Sequence, residues 1–124
     1  MKILVVEDNP ANMAYIMFML KKINIDVVKA ASGEEALILI KEVKINGGLL
    51  DIHLGDGMSG ITLMEKIRKM DGYMKLPLIA ITAFYAGEMS KQLIKKGFTD
   101  YLAKPYKFDQ LLKILKRNNL CADD

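Results

Sequence analysis

Residues 3–10, Ile3-Leu4-Val5-Val6-Glu7-Asp8-Asn9-Pro10, pass from an unbroken apolar run through two adjacent carboxylates to a helix start. The apolar run, rich in β-branched side chains, reads as a buried strand. Asn9 followed by Pro10 has the form of an N-cap with proline at the first helical position. A strand therefore enters a helix through a turn that carries Glu7 and Asp8. Adjacent acids repel, and burial near apolar residues raises the pKa of at least one of them, so the pair costs stability unless a cation neutralises it. A solvated acid-rich turn ahead of a helix is the competing reading, and it is the commoner one for these residues alone.

The same alternation continues along the chain. Apolar runs at Ile3–Val6, Ile25–Val28, Leu49–Leu50, Leu78–Ile81 and Tyr101–Leu102 alternate with helix-length segments. Helical spacing of three and four links Met13, Ile16, Met17, Leu20 and Ile23, then Ala36, Leu37, Ile40 and Val43, then Ile61, Met64, Ile67 and Met70. Ser32-Gly33-Glu34-Glu35 has capping-box spacing, and Gly97 after Lys95-Lys96 marks a helix stop. Strand then helix, five times, predicts an α/β fold with a parallel sheet covered on both faces, because each parallel crossover needs a long connection.

Composition sets outer limits. With 124 residues, 52% hydrophobic and 27% charged, the chain fits a single domain that buries its own core. The lone Cys121 makes no internal disulfide, which suits a reducing compartment and leaves no multi-cysteine metal site. No apolar stretch reaches the roughly 18 residues of a membrane span or forms a signal-peptide core, so a cytoplasmic protein with no membrane contact is expected. The net charge of +3 comes from lysines spread along helical faces, without basic runs interleaved with aromatics, so no direct nucleic-acid binding is expected.

In a doubly wound sheet, ligands collect outside the carboxyl ends of the strands. The residues just after the apolar runs are Glu7 and Asp8, Asp51, Thr82 and Ala83, and Lys104-Pro105. Three carboxylates on one rim destabilise each other, which makes a hard divalent cation such as Mg²⁺ the natural occupant. Lys104 supplies a positive charge and Thr82 a hydroxyl, the groups needed to hold two oxygens of a transferring phosphoryl group. Asp51 stands alone among the acids and is the expected nucleophile, yielding an aspartyl phosphate.

The ordered set Glu7-Asp8, Asp51, Thr82-Ala83, Tyr101 and Lys104-Pro105 resembles the receiver domain of response regulators in two-component signalling, over essentially residues 2–118. The resemblance implies a five-stranded parallel sheet in the doubly wound, flavodoxin-like (βα)5 arrangement, strand order 2-1-3-4-5. It further implies that Asp51 is phosphorylated by a histidine kinase or histidine phosphotransfer protein. Mg²⁺ would be held by Asp8, Asp51 and the backbone carbonyl of His53, with Glu7 acting through water. Thr82 and Lys104 would bind phosphoryl oxygens, the Lys104–Pro105 bond would be cis, and His53 and Phe84 would tune hydrolysis. Thr82 and Tyr101 would form the switch that remodels a partner-binding face made of the fourth helix, fifth strand and fifth helix. For Tyr101, an ordinary strand aromatic is the competing reading, and for Phe84 a loop phenylalanine covering apolar surface.

Some features depart from the family pattern. "DIHLGDGMSG" (51–60) has Gly55 where many receivers carry proline and one extra residue before Gly60, so a mobile loop is expected. Gly47-Gly48 predict a short third strand beginning near Gly48, over a locally soft core. Past residue 118 only a short tail with no output domain is expected, so the chain would act by binding, as a single-domain regulator or as an excised receiver of a larger protein. The phrases "VVEDNPAN" and "IAITA" look most like receivers attached to hybrid histidine kinases and their stand-alone relatives, while the initiator-like start slightly favours a stand-alone chain. Exposed Ala11, Tyr15 and Phe18 on the first helix are expected to dock the phosphodonor. Two other readings compete: a Mg²⁺-dependent aspartyl-phosphate phosphatase, which needs an aspartate where His53 stands, and a flavodoxin-like cofactor module, whose phosphate Glu7-Asp8 would repel.

Overall fold

The computed structural model describes residues 1–83 and 87–121. Elements alternate without exception: β1 (Lys2–Val6), α1 (Pro10–Lys22), β2 (Asp26–Ala30), α2 (Gly33–Glu42), β3 (Gly47–Asp51), α3 (Gly60–Arg68), β4 (Leu78–Thr82), α4 (Gly87–Lys96), β5 (Asp100–Ala103) and α5 (Phe108–Arg117). All neighbouring strands pair in parallel, in the order β2-β1-β3-β4-β5. Because successive side chains on a strand point to opposite faces, each inner strand feeds two cores. Leu4, Val6, Leu50, Leu78 and Ala80 pack with Ala36, Ile40, Leu63, Met64, Ile67 and Leu93 from α2, α3 and α4. Ile3, Val5, Leu49, Ile79 and Ile81 pack on the other face with Ile16, Leu20, Leu111 and Leu115 from α1 and α5. No helix among the described residues is long and apolar enough to cross a membrane.

Caps follow the local chemistry. Asn9, Ser32 and Ser59 accept hydrogen bonds from the backbone N–H groups of Asn12, Glu35 and Thr62, closing the starts of α1, α2 and α3. The apolar spacing runs slightly past the helices: Ile23 and Val43 are C-caps, while Met70 lies beyond α3. Ile23 and Met70 still pack against the cores, which is why they keep the period after the helix ends. β2 begins at Asp26 and extends to Ala30, because pairing with β1 sets its bounds and an edge strand needs only partial burial.

The third strand is longer than its apolar run. β3 covers Gly47–Asp51 and is buried throughout, in the middle of the sheet. Its glycines make room for neighbours: a Cβ on Gly47 would sit 2.6 Å from Leu120 Cδ2, and one on Gly48 would sit 2.9 Å from Leu78 Cδ2. Leu120 is 1% exposed, so the core continues past residue 118. The space beside Gly47 is therefore filled by a side chain from beyond α5. Leu120→Ala should cost about 2 kcal/mol, at the low end for a buried leucine because a terminal segment relaxes easily. In urea melts with amide exchange, β3 should lose protection with it; protection equal to the parent chain's would show that Leu120 does not seal this strand.

The connection from β3 to α3 is anchored as well. Ile52 and Leu54 are buried, Gly55 and Gly57 adopt φ of +61° and +94°, and the Met58 N–H donates to Glu34 Oε2 at 3.2 Å. Gly33 lies so close to Met58 that its own Cβ would meet Sδ at 2.9 Å. The positive φ values need glycine, and the buried Leu54 ties the connection to the core.

Candidate functional site

β1 has β2 on one side and β3 on the other, so the chain winds in opposite directions from it and leaves a crevice at the carboxyl ends of these strands. Glu7 and Asp8 follow β1, Asp51 ends β3, Thr82 ends β4, and Lys104 follows β5. Parallel register brings them level: Val6 pairs with Leu50, Asp51 with Ile81, and Thr82 with Ala103. The Lys104 N–H donates to the Thr82 carbonyl at 2.7 Å, extending the ladder one residue past β5.

The Lys104 ammonium is the centre of the cluster. Its Nζ lies 2.6 Å from Asp51 Oδ2 and 3.2 Å from Glu7 Oε1. Asp51 is 3% exposed and its second oxygen, Oδ1, accepts from the His53 N–H at 2.8 Å. Glu7 is 2% exposed and its Oε2 accepts from the Asn9 N–H at 3.2 Å. Both buried carboxylates are thus held at both oxygens. Burial raises the Glu7 pKa, the Asn9 hydrogen bond opposes this, the negative charge of Asp51 adds to the rise, and Lys104 pulls it back. For Lys104, burial alone would lower the pKa, but the hydrogen bonds and charges of Asp51 and Glu7 outweigh it and the net shift is upward.

Asp8 is exposed and completes the acidic group: one carboxylate oxygen from each of Glu7, Asp8 and Asp51 lies within 4.8 Å of the others. Hard oxygen donors at this spacing, two buried and one open to solvent, suit a small divalent cation that keeps part of its water shell. Gly55 adds to the fit, since a Cβ there would come within 3.0 Å of Asp8 Oδ2. The backbone can approach this carboxylate only because position 55 has no side chain.

The remaining expected residues fall in different surroundings. Thr82 is fully buried at the rim end of β4. The Lys104–Pro105 peptide bond is cis. The His53 side chain is exposed, while its N–H faces Asp51. Tyr101 is half-buried and packs against the core on the α2–α3–α4 side. Phe84 lies outside the described residues. Two positions escaped the sequence reading. A Cβ on Gly60 would lie 2.2 Å from the Asp51 carbonyl oxygen, so α3 starts directly against the end of β3. Tyr106 is 9% exposed, and burial, followed by the charges of Glu7, Tyr15 and Asp51, pushes its pKa well up, so the phenol stays protonated. The lysine-proline pair just ahead of it was the available signal.

Comparison with known proteins places this geometry. The model of the response regulator receiver domain matches residues 3–116. The chain is similar to signal transduction histidine-protein kinase BarA of Escherichia coli (strain K12), 33% identical over 117 residues that cover 94% of this chain and 13% of that protein. Sensor histidine kinase CheAY of Helicobacter pylori is 31% identical over 118 residues, covering 94% of this chain and 15% of the relative. The chain therefore spans only a small part of these relatives' length. Among solved structures, the receiver domain of sensor histidine kinase PA1611 from Pseudomonas aeruginosa, with magnesium ion coordinated in its active site cleft, has a TM-score of 0.85 and 32% identity, covering 94% of this chain and 95% of that one. Chemotaxis protein CheY4 of Vibrio cholerae has a TM-score of 0.88 at 26% identity, covering 94% and 97%.

Proposed function

The chain belongs to the response regulator receiver family of two-component signalling, and from that premise we propose that Asp51 is its phosphoacceptor. The observation that carries this is the 2.6 Å contact between Asp51 Oδ2 and Lys104 Nζ inside a three-carboxylate group. The donor is the phosphohistidine of a histidine kinase or phosphotransfer protein. An Asp51 carboxylate oxygen forms the O–P bond as the donor N–P bond breaks, and the electron pair stays on the departing nitrogen. Lys104 and the Thr82 hydroxyl hold phosphoryl oxygens during transfer, replacing the contacts Lys104 makes in the resting site. Asp8, Asp51 and the His53 carbonyl would hold Mg²⁺, with Glu7 reaching it through water. Once bound, the ion would offset the charge that gathers between carboxylates and phosphoryl group.

Thr82 moving toward the phosphoryl group, with Tyr101 following inward, would shift the balance between two packings of the face formed by α4, β5 and α5, where a downstream protein binds. The half-buried position of Tyr101 supports that role. Ala11, Tyr15 and Phe18 are exposed on α1, the last two at 49% and 59%, and the first turns of this helix border the site, which supports docking of the phosphodonor protein along α1. A flavodoxin-like cofactor site finds no support, because Glu7 and Asp8 occupy the turn where a cofactor phosphate would lie. An aspartyl-phosphate phosphatase finds none either, since no second carboxylate stands at position 53.

Incubation with Mg²⁺ and acetyl phosphate should add one phosphoryl group, read by intact mass. The addition should vanish in Asp51→Asn and after chelation of the metal. Addition that survives Asp51→Asn would remove the acceptor from this position.

A further inference from the structure

Beside the acidic group, a cleft of about 410 Å³ opens between α1 and the β5–α5 connection. Its volume falls in the roughly 300–1,000 Å³ range of small-ligand sites. Asn12 and Tyr15 line it from α1, Pro105 and Tyr106 from the connection, and Glu7 and Lys104 belong to the same lining. Lys104 also touches Asp51, so the cleft leads directly to the acceptor.

The two tyrosines are held differently. Their ring centroids lie 6.2 Å apart with planes tilted by 36°. Tyr106 is 9% exposed and fixed within the core, whereas Tyr15 is 49% exposed and, among the described residues, its hydroxyl makes one long 3.5 Å hydrogen bond, to the Tyr106 carbonyl. One wall is thus rigid and the other can adjust. No hydrogen bond engages the Tyr106 hydroxyl or the Asn12 side-chain amide among the described residues, so both are available to the polar edge of a ring. Flat rings gain from aromatic walls, and a methyl-bearing acyl group offers no π face.

We propose that Tyr15 and Tyr106 select phosphodonors by their leaving group, this cleft receiving the departing imidazole ring of a phosphohistidine or phosphoimidazole. The proposal rests on Asp51 being the phosphoacceptor. The Asp51 O–P bond forms as the ring N–P bond breaks, and the electron pair remains on that ring nitrogen. A donor that enters protonated on its other ring nitrogen leaves as neutral imidazole, with no further proton needed. Tyr15 and Tyr106 act as positioning residues and exchange no proton.

Three small donors separate the contributions: phosphoimidazole carries the ring, phosphoramidate has the same P–N bond without a ring, and acetyl phosphate has neither. Loading of Asp51 is followed by intact mass against donor concentration, for the parent chain, Tyr15→Leu and Tyr106→Phe. In Tyr15→Leu, which alters a half-exposed side chain and spares the core, kcat/KM for phosphoimidazole relative to acetyl phosphate should fall roughly fivefold, chiefly through KM. Phosphoramidate should keep its ratio to acetyl phosphate. Tyr106→Phe keeps the ring and should show a smaller fall in the same direction. An unchanged phosphoimidazole ratio in Tyr15→Leu, or an equal loss for phosphoramidate, would overturn the proposal. Failure of all three donors to load the parent chain would instead overturn the acceptor reading beneath it.

Discussion

Gly60→Ala should lower the unfolding free energy by about 3 kcal/mol or more and slow phosphoryl loading of Asp51 at least about tenfold at temperatures where the variant is still folded. The added Cβ would lie 2.2 Å from the Asp51 carbonyl oxygen, 2.7 Å from Ile52 Cα and 2.8 Å from Asp51 C. All three are main-chain atoms, so no side chain can swing aside. β3 cannot retreat, since it is paired with β1 on one side and β4 on the other. The start of α3 must move instead, drawing the fully buried Leu63, Met64 and Ile67 out of place. The Gly60 N–H donates to the Ile52 carbonyl at 3.3 Å, so this displacement also pulls on the residue that follows Asp51 and disturbs where its carboxylate sits relative to Lys104. Gly72→Ala provides the comparison: φ there is +86° but nothing lies within 4 Å, so only backbone strain of about 1 kcal/mol applies. Urea melts of the two variants decide the matter, and equal losses would show that α3 can yield without cost.

Arg68→Met should cost about 3 kcal/mol and lower the melting temperature by roughly 10 °C. The guanidinium closes the end of the fold opposite Asp51, tying the end of α3 to the connections that lead into β4 and β5. Its Nε and Nη2 donate to the Gly97 carbonyl at 3.0 and 2.9 Å, Nη2 also to Thr99 Oγ1 at 3.1 Å, and Nη1 to the carbonyls of Tyr73 and Leu76. Every N–H of the group is used, with no carboxylate among its partners. Burial lowers its pKa, but a guanidinium remains charged. Methionine keeps the aliphatic stem and orphans the acceptors. Arg68→Lys should recover little, because a point charge with three donors cannot span the fork. Stability of Arg68→Lys equal to the parent chain would mean that charge alone, without the planar fork, holds these segments.

Glu7, Asp8, Asp51, Thr82 and Lys104 were legible in the sequence because each directly follows, ends or closely trails an apolar run, and parallel strands bring such positions to one rim. The five-fold alternation was legible for the same reason: inner strands buried on both faces have no polar positions to blur the run. Gly47 and Gly48 hid the extent of β3, since glycine carries no apolar signal and the side chains that bury it, Leu120 and Leu78, come from distant positions. Arg68 in the last turn of α3 reads as a solvated complement to the helix dipole, and nothing local announces five hydrogen bonds to four distant acceptors. Gly60 after Ser59 reads as a helix start of small residues. Its closeness to Asp51 is a property of how α3 packs, which periodicity does not encode.

The ion pair at the centre of the site joins positions far apart in the chain: Lys104 meets Glu7 across 97 positions and Asp51 across 53. Contacts of such separation close late, because the chain entropy between them must be lost first. A polypeptide still emerging from the ribosome after β4 carries the three carboxylates without their ammonium, and their repulsion opposes closure of the rim. The ion pair at the centre of the site therefore waits for β5 to dock, and on the proposed acceptor role of Asp51 an unfinished chain should not draw phosphoryl groups from its donor.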